Sequence, residues 1–266
     1  MKLRNNFLFI VFALCSGTSF AQWSLSYGPS YGHYDEPSTY KSPDLGGAWI
    51  ETRFEGDETP LVTTMDINWR QGRARNADTT QKESSYGDAE AIEGNFSTGW
   101  RFPLSVEGLS VIPNAGFYAF HERLSSQRIY SHKSETSMAS GSFNQGPTVN
   151  LQSLFIGAVL DYQLNDSVNL TPYLRIYAPT KASVRRDFLN AQNRTEGEEL
   201  ALSKTNYVVY GMQGSYKLTE SLGLIGGVEL SDRNFKMKDT PAQPFYGTST
   251  TNLSYQRISM GINHNF

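Results

Sequence analysis

The chain has 266 residues, 38% hydrophobic, 13% aromatic and 18% charged, with a formal net charge of -3 and a mean hydropathy of -0.45, the figures of an ordinary water-soluble protein. That length suits one domain or two smaller ones, and either could bury a core. An acidic pI of ≈ 5.8 and singly scattered Lys and Arg exclude a nucleic-acid partner, which needs a basic stripe to neutralise phosphates.

Residues 1–21 read as a cleaved export signal. Lys2 and Arg4 form a basic start, Phe7 to Leu14 an apolar centre, and Ser19-Phe20-Ala21 a small-residue cleavage site. The single cysteine, Cys15, lies inside this segment and follows Leu14 where lipoprotein processing requires a small residue, so no lipid anchor is expected. The mature chain, 22–266, therefore has no cysteine, carries 21 basic against 26 acidic side chains, and cannot be a disulfide-stapled scaffold. It contains no apolar run near the roughly 18 to 20 residues of a transmembrane helix.

From Gln22 the dominant period is two, and the pattern repeats ten times. The first run sets Trp23, Leu25, Tyr27, Pro29 and Tyr31 against Ser24, Ser26, Gly28, Ser30 and Gly32. Gly47 to Phe54 follows. The third run sets Leu61, Thr63, Met65, Ile67 and Trp69 against Val62, Thr64, Asp66, Asn68 and Arg70, and the fourth Ile92, Phe96, Trp100 and Phe102 against Glu93, Asn95, Ser97 and Arg101. The others are Leu109 to Phe120, Leu154 to Leu164, Leu170 to Ala178, Tyr207 to Leu218, Leu222 to Ser231 and Leu253 to Phe266. Each reads as a strand with a different solvent on each face. Pro113 and Pro172 fall inside two runs on the apolar face, each removing a ladder hydrogen bond.

The connections alternate in length. Glu55 to Pro60, Pro103 to Gly108, Asn165 to Ser167 and Thr219 to Ser221 are short. Asp35 to Gly46, Gln71 to Glu90, His121 to Thr148, Pro179 to Asn206 and Asp232 to Asn252 are long and polar. A closed meander with every short turn on one rim and every long loop on the other is the pattern of an outer-membrane barrel, whose apolar face points outward. Trp23, Tyr31, Trp69, Phe96, Trp100, Phe102, Tyr162, Tyr210, Tyr216 and Phe266 on that face, mostly near strand ends, suit the two lipid interfaces. The fold class is all-β: a single antiparallel up-and-down transmembrane barrel of ten strands. Eight remain possible if the proline-containing runs are misread, and twelve if a long loop extends as hairpins. A soluble periplasmic β protein is the competing class.

At the carboxyl end, Ile258, Met260, Ile262 and Phe266 alternate up to a terminal phenylalanine, with His264 at the third position from the end where an aromatic or aliphatic residue is usual. This resembles the assembly signal of bacterial outer-membrane barrels, and with the export signal and loop asymmetry the mature chain resembles the small members of that class. The resemblance implies periplasmic turns and termini, extracellular loops, location in the bacterial outer membrane, and contact with outer-membrane lipid, lipopolysaccharide and the barrel-assembly machinery.

Strand parity sends Glu51, Asp66, Glu93, Asp161 and Glu229 into the lumen with Arg53, Arg70, Arg101, Arg175 and Arg257. Five acids facing five arginines, beside Tyr118, Tyr173 and Tyr177, are expected to form a hydrogen-bonded plug in a barrel this narrow. Ten strands with five surface loops also resemble the omptin proteases, where an aspartate pair faces an aspartate and histidine across the mouth. Here Asp88 and Glu90 stand at the outer end of the fourth strand and His33, His121 and Glu122 near the mouth, but the fourth loop lacks the Asp and His pair and offers Arg185, Arg186, Asp187, Glu196, Glu198 and Glu199 instead. The His-x-Ser of the lipid A deacylases is missing too. No catalytic residue, cofactor site or metal site is assigned, and the strand glycines Gly211, Gly214, Gly226, Gly227 and Gly261 suit curvature better than a ligand.

The expected function is a monomeric surface barrel whose loops bind an unidentified extracellular ligand, as an adhesin does. Two alternatives stand beside it: a narrow porin-like channel for small solutes, and a rim hydrolase using His33 and His121.

Overall fold

The computed structural model describes residues 21–35, 41–56, 59–78, 83–131, 143–189, 195–202, 204–232, 234–236, 250–252 and 254–266. The expected signal segment lies outside them except for Ala21. The described residues contain fourteen strands: β1 (Ala21–Asp35), β2 (Lys41–Gly56), β3 (Leu61–Asp78), β4 (Glu83–Trp100), β5 (Phe102–Pro103), β6 (Leu109–Ser131), β7 (Phe143–Gln163), β8 (Val168–Leu189), β9 (Thr195–Ala201), β10 (Tyr207–Lys217), β11 (Leu222–Asp232), β12 (Asn234–Lys236), β13 (Thr250–Asn252) and β14 (Ser254–Asn265).

Ten of these close an antiparallel ring in the order β1-β2-β3-β4-β6-β7-β8-β10-β11-β14, the last pairing back to β1. Each of the ten periodic runs seeds one ring strand. Following Cα partners from Gln22 through Glu55, Val62, Gly99, Asn114, Gly157, Arg175, Val209, Ser231 and Tyr255 returns to β1 at Tyr34, twelve residues further on. That stagger over ten strands tilts them by about 40° to the barrel axis.

The prolines act as the missing donors require. Opposite Pro113 the β4 ladder stops at Trp100 and resumes at β5, while the Arg101 amide donates to Pro60 O at 2.7 Å instead. Opposite Pro172 the β7–β8 ladder skips Leu160 and Asp161. Register holds across both gaps. The short turns close themselves: Asn165 Oδ1 accepts from the amides of Ser167 and Val168, each at 2.9 Å. Gly108, at φ 73, takes the left-handed conformation that a side chain would oppose.

The exterior is apolar and exposed. Trp23, Trp100, Phe102, Tyr216 and Phe266 ring the short-turn end, and Tyr31 and Trp69 the other. Above them the same outward positions turn polar, with Glu90, His121, Arg123, Gln152 and Lys181 exposed. Lipid therefore ends at about the level of Trp69.

The strands do not end there. The sequence runs left the long connections as loops, but β3, β4, β6, β7 and β8 have 18, 18, 23, 21 and 22 residues, against 11, 11 and 12 in β10, β11 and β14. A tilted crossing uses about 9 to 11. Much of the expected loops Gln71 to Glu90, His121 to Thr148 and Pro179 to Asn206 is thus paired strand, rising roughly 25 Å above the lipid, and in the expected loop Asp232 to Asn252 β12 pairs with β13 in the register of the β11–β14 ladder.

Candidate functional site

All ten charged residues assigned to the lumen by parity lie on the inward face, and they sort into layers. Nearest the short turns, Arg53 Nε donates to Glu55 Oε1 at 2.6 Å and Nη2 to Asp161 Oδ2 at 3.0 Å. Arg101 reaches the same two carboxylates at 2.8 and 2.7 Å, and Asn169 Nδ2 donates to Asp161 Oδ1 at 2.7 Å. Glu55 was assigned to a turn, yet it continues the inward series Glu51, Arg53, Glu55. With Glu55 and the inward Glu122, seven acids share the lumen with five arginines among the described residues, and the one-for-one match expected from the sequence does not hold.

The upper layer is tighter. Glu93 Oε1 accepts from Arg70 Nη2 and Arg257 Nη1, both at 2.9 Å, and its Oε2 accepts from Tyr118 Oη at 2.9 Å. Arg257 Nη2 donates to Glu229 Oε2 at 3.1 Å, Tyr173 Oη donates to the same oxygen at 2.5 Å, and Tyr255 Oη donates to Glu229 Oε1. The Arg70 side chain is fully buried, at 0% exposure. A guanidinium removed from water this completely needs a paired carboxylate with satisfied lone pairs. Gly32 makes room for it, since a Cβ there would collide with the guanidinium.

Apolar and aromatic side chains complete the closure. Tyr177 stacks on Tyr207 with centroids 4.9 Å apart and meets Tyr118 edge-on at 5.3 Å. Phe120, Leu151, Leu45 and Leu202 are buried in the same cluster. Leu202 comes from the β8–β10 connection and is held by its amide, which donates to Ala182 O at 3.0 Å. Sequence reasoning missed Leu45, Leu151 and Leu202 because all three fall on or beside segments read as polar loops.

Between the two charge layers lies a cavity of about 80 Å³ that touches Glu51, Asp66 and Arg175. None of these three has an oppositely charged partner within 4.0 Å among the described residues, so the plug does not pair every lumen charge as expected.

The rim candidates do not converge. His33 lies on the same face of β1 as outward-facing Tyr31. His121 is exposed on the outer wall, its Nδ1 2.8 Å from Asn150 Oδ1. Glu122 is buried on the inward face, and Glu90 faces out, accepting from Trp69 Nε1 at 2.8 Å. Asp88 is placed in β4 beside Arg73 and Ser125. Among the described residues no group of His, Cys, Asp or Glu could hold a metal. Most of the polar third-loop residues, from Ser134 to Ser142, lie outside the described residues.

At the carboxyl end Ile258, Met260, Ile262 and Phe266 all face outward, and Phe266 stacks on Trp23 with centroids 4.0 Å apart, its amide donating to Trp23 O at 2.9 Å. These four residues thus sit beside the seam where the first and last ring strands meet.

A closed ten-strand ring, an exposed apolar belt flanked by aromatic residues, and short turns on one rim leave a single architecture. The fold is that of a bacterial outer-membrane β-barrel. It is similar to the outer membrane protease OmpT of Escherichia coli, at 12% identity and a TM-score of 0.56, covering 94% of this chain and 98% of that one. The translocator domain of the autotransporter NalP from Neisseria meningitidis matches at 10% identity and a TM-score of 0.46, over 100% and 95%. A major outer membrane protein from Thermus thermophilus matches at 11% and 0.45, over 92% and 99%. No protein-family model and no curated protein sequence matches the chain.

Proposed function

We propose that this barrel is a non-enzymatic surface-binding protein, closed to solute flow, that presents the strand-extended wall of β3 to β8 to a ligand outside the cell. The observation that carries this reading is the combination of a lumen sealed at its outer half with a wall built well above the lipid. Paired strands hold a binding surface more rigidly than free loops do, and a sealed outer lumen leaves little for a diffusion channel to use. His121 on the outer wall, with its Nδ1 against Asn150 Oδ1, and Glu122 on the inward face point to opposite sides of β6, which favours a non-enzymatic role over a rim hydrolase built on them.

The test trims the β6–β7 and β7–β8–β9 walls to the level of Arg123 and Ser183 and compares trimmed with full-length protein on whole cells. Adhesion to epithelial monolayers and to polysaccharide-coated plates is read in parallel with planar-bilayer current. Loss of adhesion in the trimmed barrel, with both proteins silent in the bilayer, is the expected result. Unchanged adhesion together with porin-scale current overturns the reading in favour of a channel.

A further inference from the structure

The middle layer of the lumen presents charges that the protein itself does not pair. Glu51 and Asp66 are direct Cα partners on β2 and β3, with both carboxylates lining the cavity. Like charges facing each other on neighbouring strands repel, and a lumen of low dielectric strengthens the repulsion. The carboxylates above and below them, Glu55, Asp161, Glu93 and Glu229, each have an arginine nitrogen within 3.1 Å. Glu51 and Asp66 have none within 4.0 Å.

Arg175 stands on β8, half the ring away from β2. It too lacks a counter-ion within 4.0 Å. Its guanidinium lies over the rings of Tyr173 and Phe155, at 4.7 and 5.2 Å, and its Nε is buried without a hydrogen-bond acceptor. Arg53, Arg257 and Glu229 also line the cavity but are engaged in the ion pairs of the layers above and below, so the unpaired groups are two carboxylates on β2 and β3 and one guanidinium on β8, with Asn114, Gln213 and Ser259 between them.

The cavity adjoins a larger space below it. A vestibule of about 540 Å³ opens at the short-turn rim and shares Glu51, Arg53, Thr171 and Gln213 with it. Small polar residues of β1 and β14, among them Ser24, Ser26 and Asn263, line this vestibule beside the lower charge layer. Short turns are periplasmic in barrels of this class, so a periplasmic solute arrives without crossing the outer seal.

We infer that this cavity binds a small ω-amino acid from the periplasm, its ammonium between Glu51 and Asp66 and its carboxylate on Arg175. A zwitterion of this kind gives each of the three unpaired groups an opposite charge, and charge-assisted hydrogen bonds are the strong ones. A ligand with a single charge would satisfy the carboxylates or the guanidinium and leave the other without a counter-ion, which is how a polar site rejects an incomplete ligand.

The test titrates the refolded mature barrel in detergent micelles with glycine, β-alanine and γ-aminobutyrate, using methylamine and acetate as single-charge probes, by calorimetry or NMR. One zwitterion binding about tenfold more tightly than either single-charge probe supports the assignment. Glu51→Gln and Asp66→Asn then weaken the zwitterion and leave acetate unchanged, whereas Arg175→Gln weakens it and leaves methylamine unchanged. Zwitterions that bind no tighter than methylamine and acetate overturn the assignment and leave water as the partner of all three groups. Should a charge variant fail to fold, Ser259→Leu fills the cavity without touching a charge, and zwitterion binding that survives it also overturns the inference.

Discussion

The guanidinium of Arg70 lies over Gly32, the one inward position of β1 where a side chain would displace it. Gly32→Val should therefore push Arg70 away from Glu93 and break a buried pair. A loss of about 3 kcal/mol is expected. Urea unfolding of the refolded barrel, followed by tryptophan fluorescence, measures it, and Ser30→Ala two residues away serves as the comparison.

The two charge layers should differ in what they contribute. Glu93 has a side-chain exposure of 2% and holds two arginines, whereas Glu55 is 30% exposed. Glu93→Gln leaves two cations without their shared carboxylate and should cost about 3 to 5 kcal/mol. Glu55 also holds two arginines, Arg53 and Arg101, but water reaches both pairs, and Glu55→Gln should cost no more than about 1 kcal/mol for each. Equal losses in the same urea assay would contradict the layered account.

The sealed outer half predicts a silent protein in planar bilayers. Replacing Tyr118 and Tyr177 together by alanine removes the edge-on aromatic contact and should raise single-channel current above the wild-type baseline. The wild type carrying porin-scale current would mean that the seal is not closed.

Trp23 and Phe266 stack beside the β1–β14 seam, and such aromatic pairs are worth about 1 kcal/mol beyond their burial. Trp23→Ala and Phe266→Ala should each lower the yield of folded barrel, and the double variant should lose less than the sum. A double-mutant cycle on refolding yield and urea midpoint checks the coupling.

The lipid-spanning part of the barrel was legible because lipid and lumen impose opposite demands on alternate residues, so each crossing leaves a period-two trace. Above Trp69 the pattern inverts, polar outside at Glu90, His121 and Gln152 and apolar inside at Leu45, Val149 and Leu151, so the lipid-facing phase is lost and the ladder runs on unannounced through Gln71–Asp78 or His121–Ser131. For the same reason Leu45 and Leu151 passed as fragments of loops. Glu55 was lost differently, to a boundary: its polarity placed it in a turn although Glu51 and Arg53 already fixed its parity. Side of the wall was readable; distance across the lumen was not. Parity put Arg175 inside but could not say that it would end beside the rings of Tyr173 and Phe155 rather than a carboxylate.

The stagger that tilts the ring does not stop at the lipid. β8 pairs with β9 at the same offset as with β10, and β12 pairs with β13 at the same offset as β11 with β14. A wall that keeps one stagger leans as the barrel below it leans. Whatever docks on it therefore meets strands running obliquely across its path, and a ligand that follows them is turned about the barrel axis as it descends.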